Sequence, residues 1–325
     1  MTETKEAEMR IMDTTAVRSA IDLPTAIDLV AEALRAAAEG RFSVPQRAVL
    51  ADGRALAMVA GRSDDPGIVW KVLSSVSANA EHGLPTIQGT VLWADDETGA
   101  VTAMLDGEAV TVLRTAAVTG LALRRLAPPQ AAVLGLLGAG AQAPGLVRAA
   151  LTVRDLREVR VWSRTAERAE ALAHALEPEF PAVRFRPVSE SSDVVRGADA
   201  VIAATRAVEP LVHARDLSER ATVLAIGAYR PDMIEVDPSV FACADVVVAD
   251  DVTAALAESG DMIRAVAKRA LRTEDVSALG AWDAGARGGA GIRVFKSVGT
   301  AALDWAIAAA AYRRAGRPEP TGGTT

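Results

Sequence analysis

The sequence predicts an α/β protein in which a mixed α+β domain is followed by a doubly wound parallel sheet. Three observations carry that expectation. Residues 44–105 break into short apolar strands separated by turn residues, residues 131–250 alternate apolar strands with helical patterns, and the pair Pro128-Pro129 divides the two rhythms. The 325 residues are 50% hydrophobic but only 4% aromatic, so the core is aliphatic. A charged fraction of 24% excludes disordered, collagen-like and disulfide-scaffold classes.

The elements follow in order. Asp22 caps a first helix that has Pro24 just inside its start, apolar residues at Ile27, Val30 and Leu34, and Gly40 past its end. Strands are expected over VPQRAVL (44–50), RALAMVA (54–60), IVWKVLSS (68–75), IQGTVLWA (87–94) and 100–105, in an antiparallel or mixed sheet. A helix over 108–126 closes this region at Pro128-Pro129. Beyond it come AAVLGLL (131–137), a helix from Ala141, EVRVW (158–162), a helix over 165–176, VRFRPV (183–188), AVIAAT (200–205), ATVLAIG (221–227) and DVVVAD (245–250). Strands apolar on consecutive residues must be covered on both faces, which makes this a parallel sheet with crossover helices. An Ala-rich last helix from Ser297 returns to the first domain. The expected domains are 1–127 completed by the helix 297–316, then 128–296, with 317–325 as a flexible tail.

Charge and cysteine content narrow the function. With 35 basic and 42 acidic residues the net charge is -7, which provides no sequence-wide footprint for nucleic acid or an anionic membrane and favours a small polar substrate. The single cysteine, Cys243, cannot form an internal disulfide, and three histidines supply few ligands for zinc, so a reducing cytoplasm and no metal are expected. The uncharged stretch Leu126 to Val147 is long enough to span a bilayer, but Pro128, Pro129, Pro144, Gly135, Gly138, Gly140 and Gly145 would break a helix there. It reads as a buried strand followed by a glycine loop. The first ten residues lack the basic-then-apolar order of a secretory signal, so no export is expected.

That loop carries Gly138, Gly140 and Ala143 in G-x-G-x-x-A spacing, between a strand and a helix, with a second strand ending about twenty residues later. This is the Rossmann arrangement. Its glycines admit a pyrophosphate to the backbone and its helix start offers free N–H groups. A glycine turn with no ligand is the bland alternative. The second strand ends Val161-Trp162-Ser163-Arg164-Thr165, with no carboxylate for a free ribose hydroxyl but a guanidinium flanked by two hydroxyls, which suits a 2′-phosphate. NADP(H) is therefore preferred over NAD(H), unless Arg164 pairs with Glu167 or stays solvated.

Two cations stand where the pattern asks for apolar residues. Lys71 interrupts Ile68-Val69-Trp70 and Val72-Leu73, so both faces of its strand look covered; a buried ammonium has a shifted pKa and makes a proton donor, whereas a strand lysine can also snorkel to an edge. Arg114 shares a helix face with Val110, Val118 and Leu121, so a substrate carboxylate or an internal Asp is expected to meet it. Arg47, in a strand, is less telling.

The strings LRTAA (113–117), GAGAQ (138–142) and FKSVG (295–299), with GLPTIQG (83–89), VWSRT (161–165), ESGD (258–261) and the Arg47/Lys71 spacing, resemble the ornithine cyclodeaminase and mu-crystallin family over almost the whole chain. The resemblance implies a substrate-binding, dimerising domain from the N-terminal half plus the last helix, a Rossmann domain between, a homodimer, and a small amino or imino acid as substrate. It implies that Arg47 and Arg114 hold the substrate carboxylate and that Lys71 lies near the reacting nitrogen. It places Thr115, Ala141, Gln142, Ser163, Arg164, Thr165 and Thr205, with Thr86, Gly227 and Ser297, at the cofactor.

The departures from the cyclodeaminase pattern all point one way. Tyr229 stands in the segment Gly227 to Glu235 where those enzymes resemble one another in having Asp, residues 48–70 contain no Glu, and Ser163 replaces an Asp. The mu-crystallin branch, similar in its R-P-D segment, includes ketimine reductases. The expected function is NADPH-dependent reduction of an α-imino acid, or the reverse oxidation. The alternatives are an NAD-using ornithine or lysine cyclodeaminase-type lyase, and a crystallin-like protein that binds NADPH and a ligand without turnover.

Overall fold

The computed structural model describes residues 9–50, 53–282 and 291–315, and the expected tail 317–325 lies outside them. The chain divides into two compact units, Met1–Arg114 with Thr300–Thr325, and Thr115–Gly299.

The first unit contains β1 (Arg10–Met12), α1 (Thr14–Ala20), α2 (Leu23–Ala38), β2 (Phe42–Ser43), β3 (Ala48–Leu50), β4 (Ala55–Arg62), β5 (Asp65–Ser75), β6 (Ile87–Ala94) and β7 (Val101–Asp106). A long helix, α3 (Gly107–Leu126), follows, and the C-terminal helix Ala301–Arg314 belongs to this unit. Asp22 caps α2 through the Thr25 N–H at 2.8 Å. The sheet runs β1-β7-β6-β5-β4-β2, with β3 also on β4, and is antiparallel except for the parallel pair β1 and β7. Neither β1 nor α1 is announced by the sequence, because a three-residue strand and a seven-residue helix are too short to show a period.

One face of this sheet is core. Val69, Lys71, Val91, Ala103 and Leu105 are buried on it, and α2 and the C-terminal helix pack together there, with the C-terminal helix lying against β4, β5 and β6. Trp305 fixes the C-terminal helix to the strand edge: its indole donates to the Gly67 carbonyl at 2.8 Å while its ring meets Phe42 edge-on. The other face corrects the expectation that both sides of β5 are covered. There Val72 is 50% exposed and Trp70 only half-buried. The strand is apolar on consecutive residues although a single chain covers one side of it.

In the second unit lie β8 (Val133–Leu137), α4 (Ala143–Val153), β9 (Glu158–Trp162), α5 (Ala166–Leu176), β10 (Arg184–Pro187), α6 (Ser191–Val195) and β11 (Ala200–Ala203). They are followed by β12 (Thr222–Ala225), α7 (Pro238–Ala242), β13 (Ala244–Ala249), α8 (Val252–Glu258), α9 (Gly260–Ala267), β14 (Val276–Ala278) and β15 (Ile292–Lys296). The order is β10-β9-β8-β11-β12-β15-β13-β14 and every pair is parallel. Because β8 pairs with both β9 and β11, the strand order reverses beside it, and a ligand crevice forms outside the carboxyl ends of strands at such a point. The strand β15 went unread in the sequence: Arg293 and Lys296 interrupt a five-residue run, yet it sits inside the sheet between β12 and β13.

The stretch from Leu126 to Val147 resolves into the end of α3, β8, the glycine loop and the start of α4, and no helix among the described residues is long and apolar enough to cross a membrane. The division between units falls inside α3, at Arg114 and Thr115, whereas Pro128-Pro129 marks the end of that helix. Arg154 accounts for this. Its guanidinium donates to the carbonyls of Arg124, Ala127 and Pro128, so the last turn of α3 is held within the second unit.

Candidate active site

In the first unit, Lys71 projects from the middle of β5 into the core and is 1% exposed, so it does not snorkel to an edge. Its Nζ donates to Thr111 Oγ1 at 2.6 Å and to Asp304 Oδ1 at 2.8 Å. Thr111 in turn donates its hydroxyl hydrogen to the Gly107 carbonyl, so toward Lys71 it can only accept. An ammonium has three N–H groups, and two are spent here. The third is left for a further partner.

Arg114 stands three residues after Thr111 on α3, with Val110, Val118 and Leu121 buried around it. Its Nε lies 3.5 Å from Asp304 Oδ1 and makes no hydrogen bond, so the anion expected from the pattern includes an internal Asp, at a distance too long to satisfy the donor. Asp304 is fully buried, and its Oδ2 has no hydrogen-bond partner either. The cluster thus keeps unfilled capacity of both signs. Burial pushes the Lys71 pKa down to about 8, opposed by the charge of Asp304 and reinforced by Arg114 and Arg47. Arg47, half-buried after β2, therefore belongs to the same electrostatic environment.

Asp304 and Thr111 were missed in the sequence. In the sequence Asp304 shows only as the one charge from Ala301 to Ile307; the structure encloses the helix on all sides there and so buries it.

In the second unit, the predicted cofactor residues Gly138, Gly140, Ala141, Gln142, Ser163, Arg164, Thr165, Thr205, Gly227 and Ser297 gather at the carboxyl ends of β8, β9, β11, β12 and β15. The two loop glycines have different reasons. Gly138 has φ +103°, and a Cβ there would lie 2.5 Å from the Ala204 carbonyl, so the fold itself demands glycine. A Cβ on Gly140 would meet no protein atom within 4 Å. The space over Gly140 is open, as a pyrophosphate approaching the backbone requires. Nearby, Gln142 Oε1 is buried without a hydrogen-bond partner. These residues fit a dinucleotide.

Ser163 is half-buried, while Arg164 and Thr165 are exposed, and Arg164 forms no ion pair with Glu167 or any other described residue. Thr205 and Ser297 turn their hydroxyls inward, to Glu235 Oε1 at 2.8 Å and to Asp250 Oδ2 at 2.6 Å, so they shape loops from within. Thr115 is buried on α3, and Thr86 is half-buried in the first unit just before β6. Among the described residues, no three His, Cys, Asp or Glu side chains group as a metal would need.

Residues 7–318 match the model of the ornithine cyclodeaminase/mu-crystallin family. The chain is 31% identical over 318 residues to a Delta(1)-pyrroline-2-carboxylate reductase of Bacillus cereus, covering 94% of this chain and 97% of the relative. It is 33% identical over 258 residues to the ketimine reductase mu-crystallin of Rattus norvegicus, covering 78% of each. Its fold matches the structure of the Thermococcus litoralis Delta(1)-pyrroline-2-carboxylate reductase in complex with NADH and L-proline, with a TM-score of 0.89 at 26% identity over 94% of this chain and 97% of that one.

The contrast between the loop glycines is measurable. Gly140→Ala adds a methyl group to open space and should leave the melting temperature unchanged while weakening NADPH binding about tenfold or more in a fluorescence titration. Gly138→Ala should instead lower the melting temperature. A Gly140→Ala protein that binds NADPH as tightly as the parent would overturn the close approach of a pyrophosphate to Gly140.

Proposed function

Because the chain belongs to the ornithine cyclodeaminase/mu-crystallin family and buries a lysine with one uncommitted N–H beside an arginine, we propose that it reduces a small α-imino acid to the α-amino acid with NAD(P)H. The observation that carries this is the state of Lys71: a pKa of about 8, two hydrogen bonds made inside the protein, and one proton left to give. A cyclic five-membered imine carboxylate is the substrate class suggested by the named reductase relatives.

Arg114 and Arg47 would hold the substrate carboxylate, with the unsatisfied Nε of Arg114 as one donor. That fixes the imine carbon, and positioning alone lowers a large part of such a barrier. Lys71 would place its third N–H on the imine nitrogen and transfer the proton as the carbon is reduced. The neutral amine that remains still donates to Thr111 and Asp304, so proton transfer breaks no hydrogen bond inside the protein. Asp304, by favouring the charged lysine, draws a proton back for the next turnover. The nicotinamide dinucleotide, when bound, supplies the hydride.

We assign the preference for NADP(H) to Arg164, with Ser163 and Thr165 completing the oxygen shell of a 2′-phosphate; its exposure and lack of an ion-pair partner leave the guanidinium available. We place the protein in a reducing cytoplasm, where NADPH and the free thiol of exposed Cys243 are both at home. We further infer a homodimer formed through the uncovered sheet face. The register aligns Ile11, Met104, Leu92, Trp70 and Val59 in one row across five strands, and none is fully buried. A second copy of the same flat apolar row covers it by two-fold symmetry.

Three results would check these assignments. NADPH oxidation with Δ1-pyrroline-2-carboxylate should be catalysed by the parent and abolished in Lys71→Met, which should still bind NADPH. Retained turnover overturns the role of Lys71, and ammonia release from ornithine without net NADPH use overturns the reaction. Since the protonated lysine is the donor, kcat/KM for reduction should fall as pH rises through about 8, and oxidation of the amino acid should rise over the same window. In Asp304→Asn, loss of the group that raises the Lys71 pKa should move that limb to lower pH.

Arg164→Ala should raise KM for NADPH by about tenfold or more and leave KM for NADH nearly unchanged, because only one cofactor carries the 2′-phosphate. Equal changes would remove the phosphate assignment. In analytical ultracentrifugation the parent should sediment at twice the 33.8 kDa chain mass, and Trp70→Glu as the single chain. A monomeric parent would leave the sheet face without this explanation.

A further inference from the structure

Three buried charged residues take no part in the function just described. Lys296 on β15, Asp261 on α9 and Glu235 before α7 are all inaccessible to solvent, and they are linked in series. Lys296 Nζ donates to Asp261 Oδ2 at 2.9 Å, and Asp261 Oδ1 accepts the backbone N–H groups of Glu235 and Val236 at 2.7 and 3.0 Å. The Glu235 side chain then reaches two loops at once. Its Oε1 accepts from Thr205 N at 2.5 Å and Thr205 Oγ1 at 2.8 Å, and its Oε2 from Gly227 N at 2.7 Å and Ala228 N at 2.9 Å.

Four donors from the loops after β11 and β12 therefore converge on one carboxylate. The loops are drawn so close that a Cβ on Gly227 would fall 2.1 Å from the Thr205 carbonyl and 2.6 Å from Glu235 Oε1. Donors at the carboxyl ends of parallel strands commonly face a ligand; here they face inward, which leaves a surface shaped by Glu235 rather than one that contacts it. The half of the sheet formed by β8, β9 and β10 carries the glycine loop and the ribose-reading segment, so it takes the adenosine nucleotide. The other half, β11 and β12, is left for the nicotinamide nucleotide.

We propose that Glu235, anchored through Asp261 to Lys296, is a positioning residue for the nicotinamide half of the cofactor, acting by fixing the spacing of the Thr205 and Gly227-Ala228 loops. This rests on the dinucleotide reading above. In Glu235→Gln the amide nitrogen opposes a backbone N–H at whichever loop it faces, Thr205 N or the pair Gly227 N and Ala228 N, so at least one of the four hydrogen bonds is lost even where the Thr205 hydroxyl turns to accept. The other half of the site is untouched.

The test is a pair of binding titrations on the full chain, with NADPH and with adenosine 2′,5′-bisphosphate, which occupies only the adenosine half. Glu235→Gln should weaken NADPH about tenfold or more and change the bisphosphate by less than about twofold. Val194→Ala, which thins the core beneath Gly135 on β8, serves as a stability control: it should lower the melting temperature without separating the two ligands. Should Glu235→Gln fail to fold, Glu235→Asp keeps the charge but is one methylene too short to reach both loops, and the same split is expected. Equal weakening of both ligands, or no weakening of NADPH, overturns the positioning role while leaving the dinucleotide reading intact. A parent protein that binds neither ligand overturns both.

Discussion

The ion pair between Lys71 and Asp304 joins a strand near the start of the chain to the C-terminal helix across 233 residues of sequence, and both groups are removed from water. Such a pair is an expensive way to hold a fold together. Apolar residues of similar volume often stabilise a core as well or better, while removing one partner leaves a buried charge at a cost of about 3–5 kcal/mol. The first unit carries this pair with Arg114 beside it, so two cations cluster on one buried carboxylate. The excess positive charge and the unsatisfied Nε of Arg114 make sense once an anionic substrate completes the set. A small carboxylic acid with a basic nitrogen supplies both what Arg114 lacks and what the third N–H of Lys71 lacks.

The same logic separates glycines that the packing demands from a glycine that it does not. Gly138 and Gly227 are pressed against the Ala204 and Thr205 carbonyls and would be required with no cofactor in existence. Gly140 has no such neighbour. A G-x-G-x-x-A string in the sequence cannot tell these cases apart. The packing around each Cβ position can: it shows that the fold requires Gly138 and leaves Gly140 open at the loop.

How far the sequence could be read follows from where its signals are local. The parallel sheet was legible because β8, β11 and β12 are apolar on consecutive residues, and the glycine loop because its spacing is contained in six residues. Lys71 and Arg114 stood out as charges on apolar patterns; Lys71 is buried as a charge only with a partner can be, and Arg114 is largely covered beside the same Asp304. What was lost is non-local. Asp304 lies in the last helix, where its single charge could pass for an ordinary exposed position until the helix is seen to be enclosed on all sides. Glu235 lay within a quoted segment, but its four hydrogen bonds come from loops that only the sheet order brings together. The strand β15 failed for a related reason: the buried Lys296 that interrupts its pattern is neutralised by Asp261, thirty-five residues earlier.

Tyr229 bears on the choice between reduction and deamination. It sits one residue past Ala228, whose N–H is held by Glu235, and its side chain packs partly against the core of the second unit. A carboxylate at this position would have to be solvated or paired, and the residues that follow already use Asp232 to bind Arg230 at 2.6 Å. The segment is therefore built around an apolar ring with its own acid neutralised nearby. The proposed reduction asks for no carboxylate at this position. Lys71, with one N–H left beyond Thr111 and Asp304, has the placement that the proposed protonation at nitrogen requires. That is the proton inventory of imine reduction, in which one proton and one hydride are added and nothing leaves.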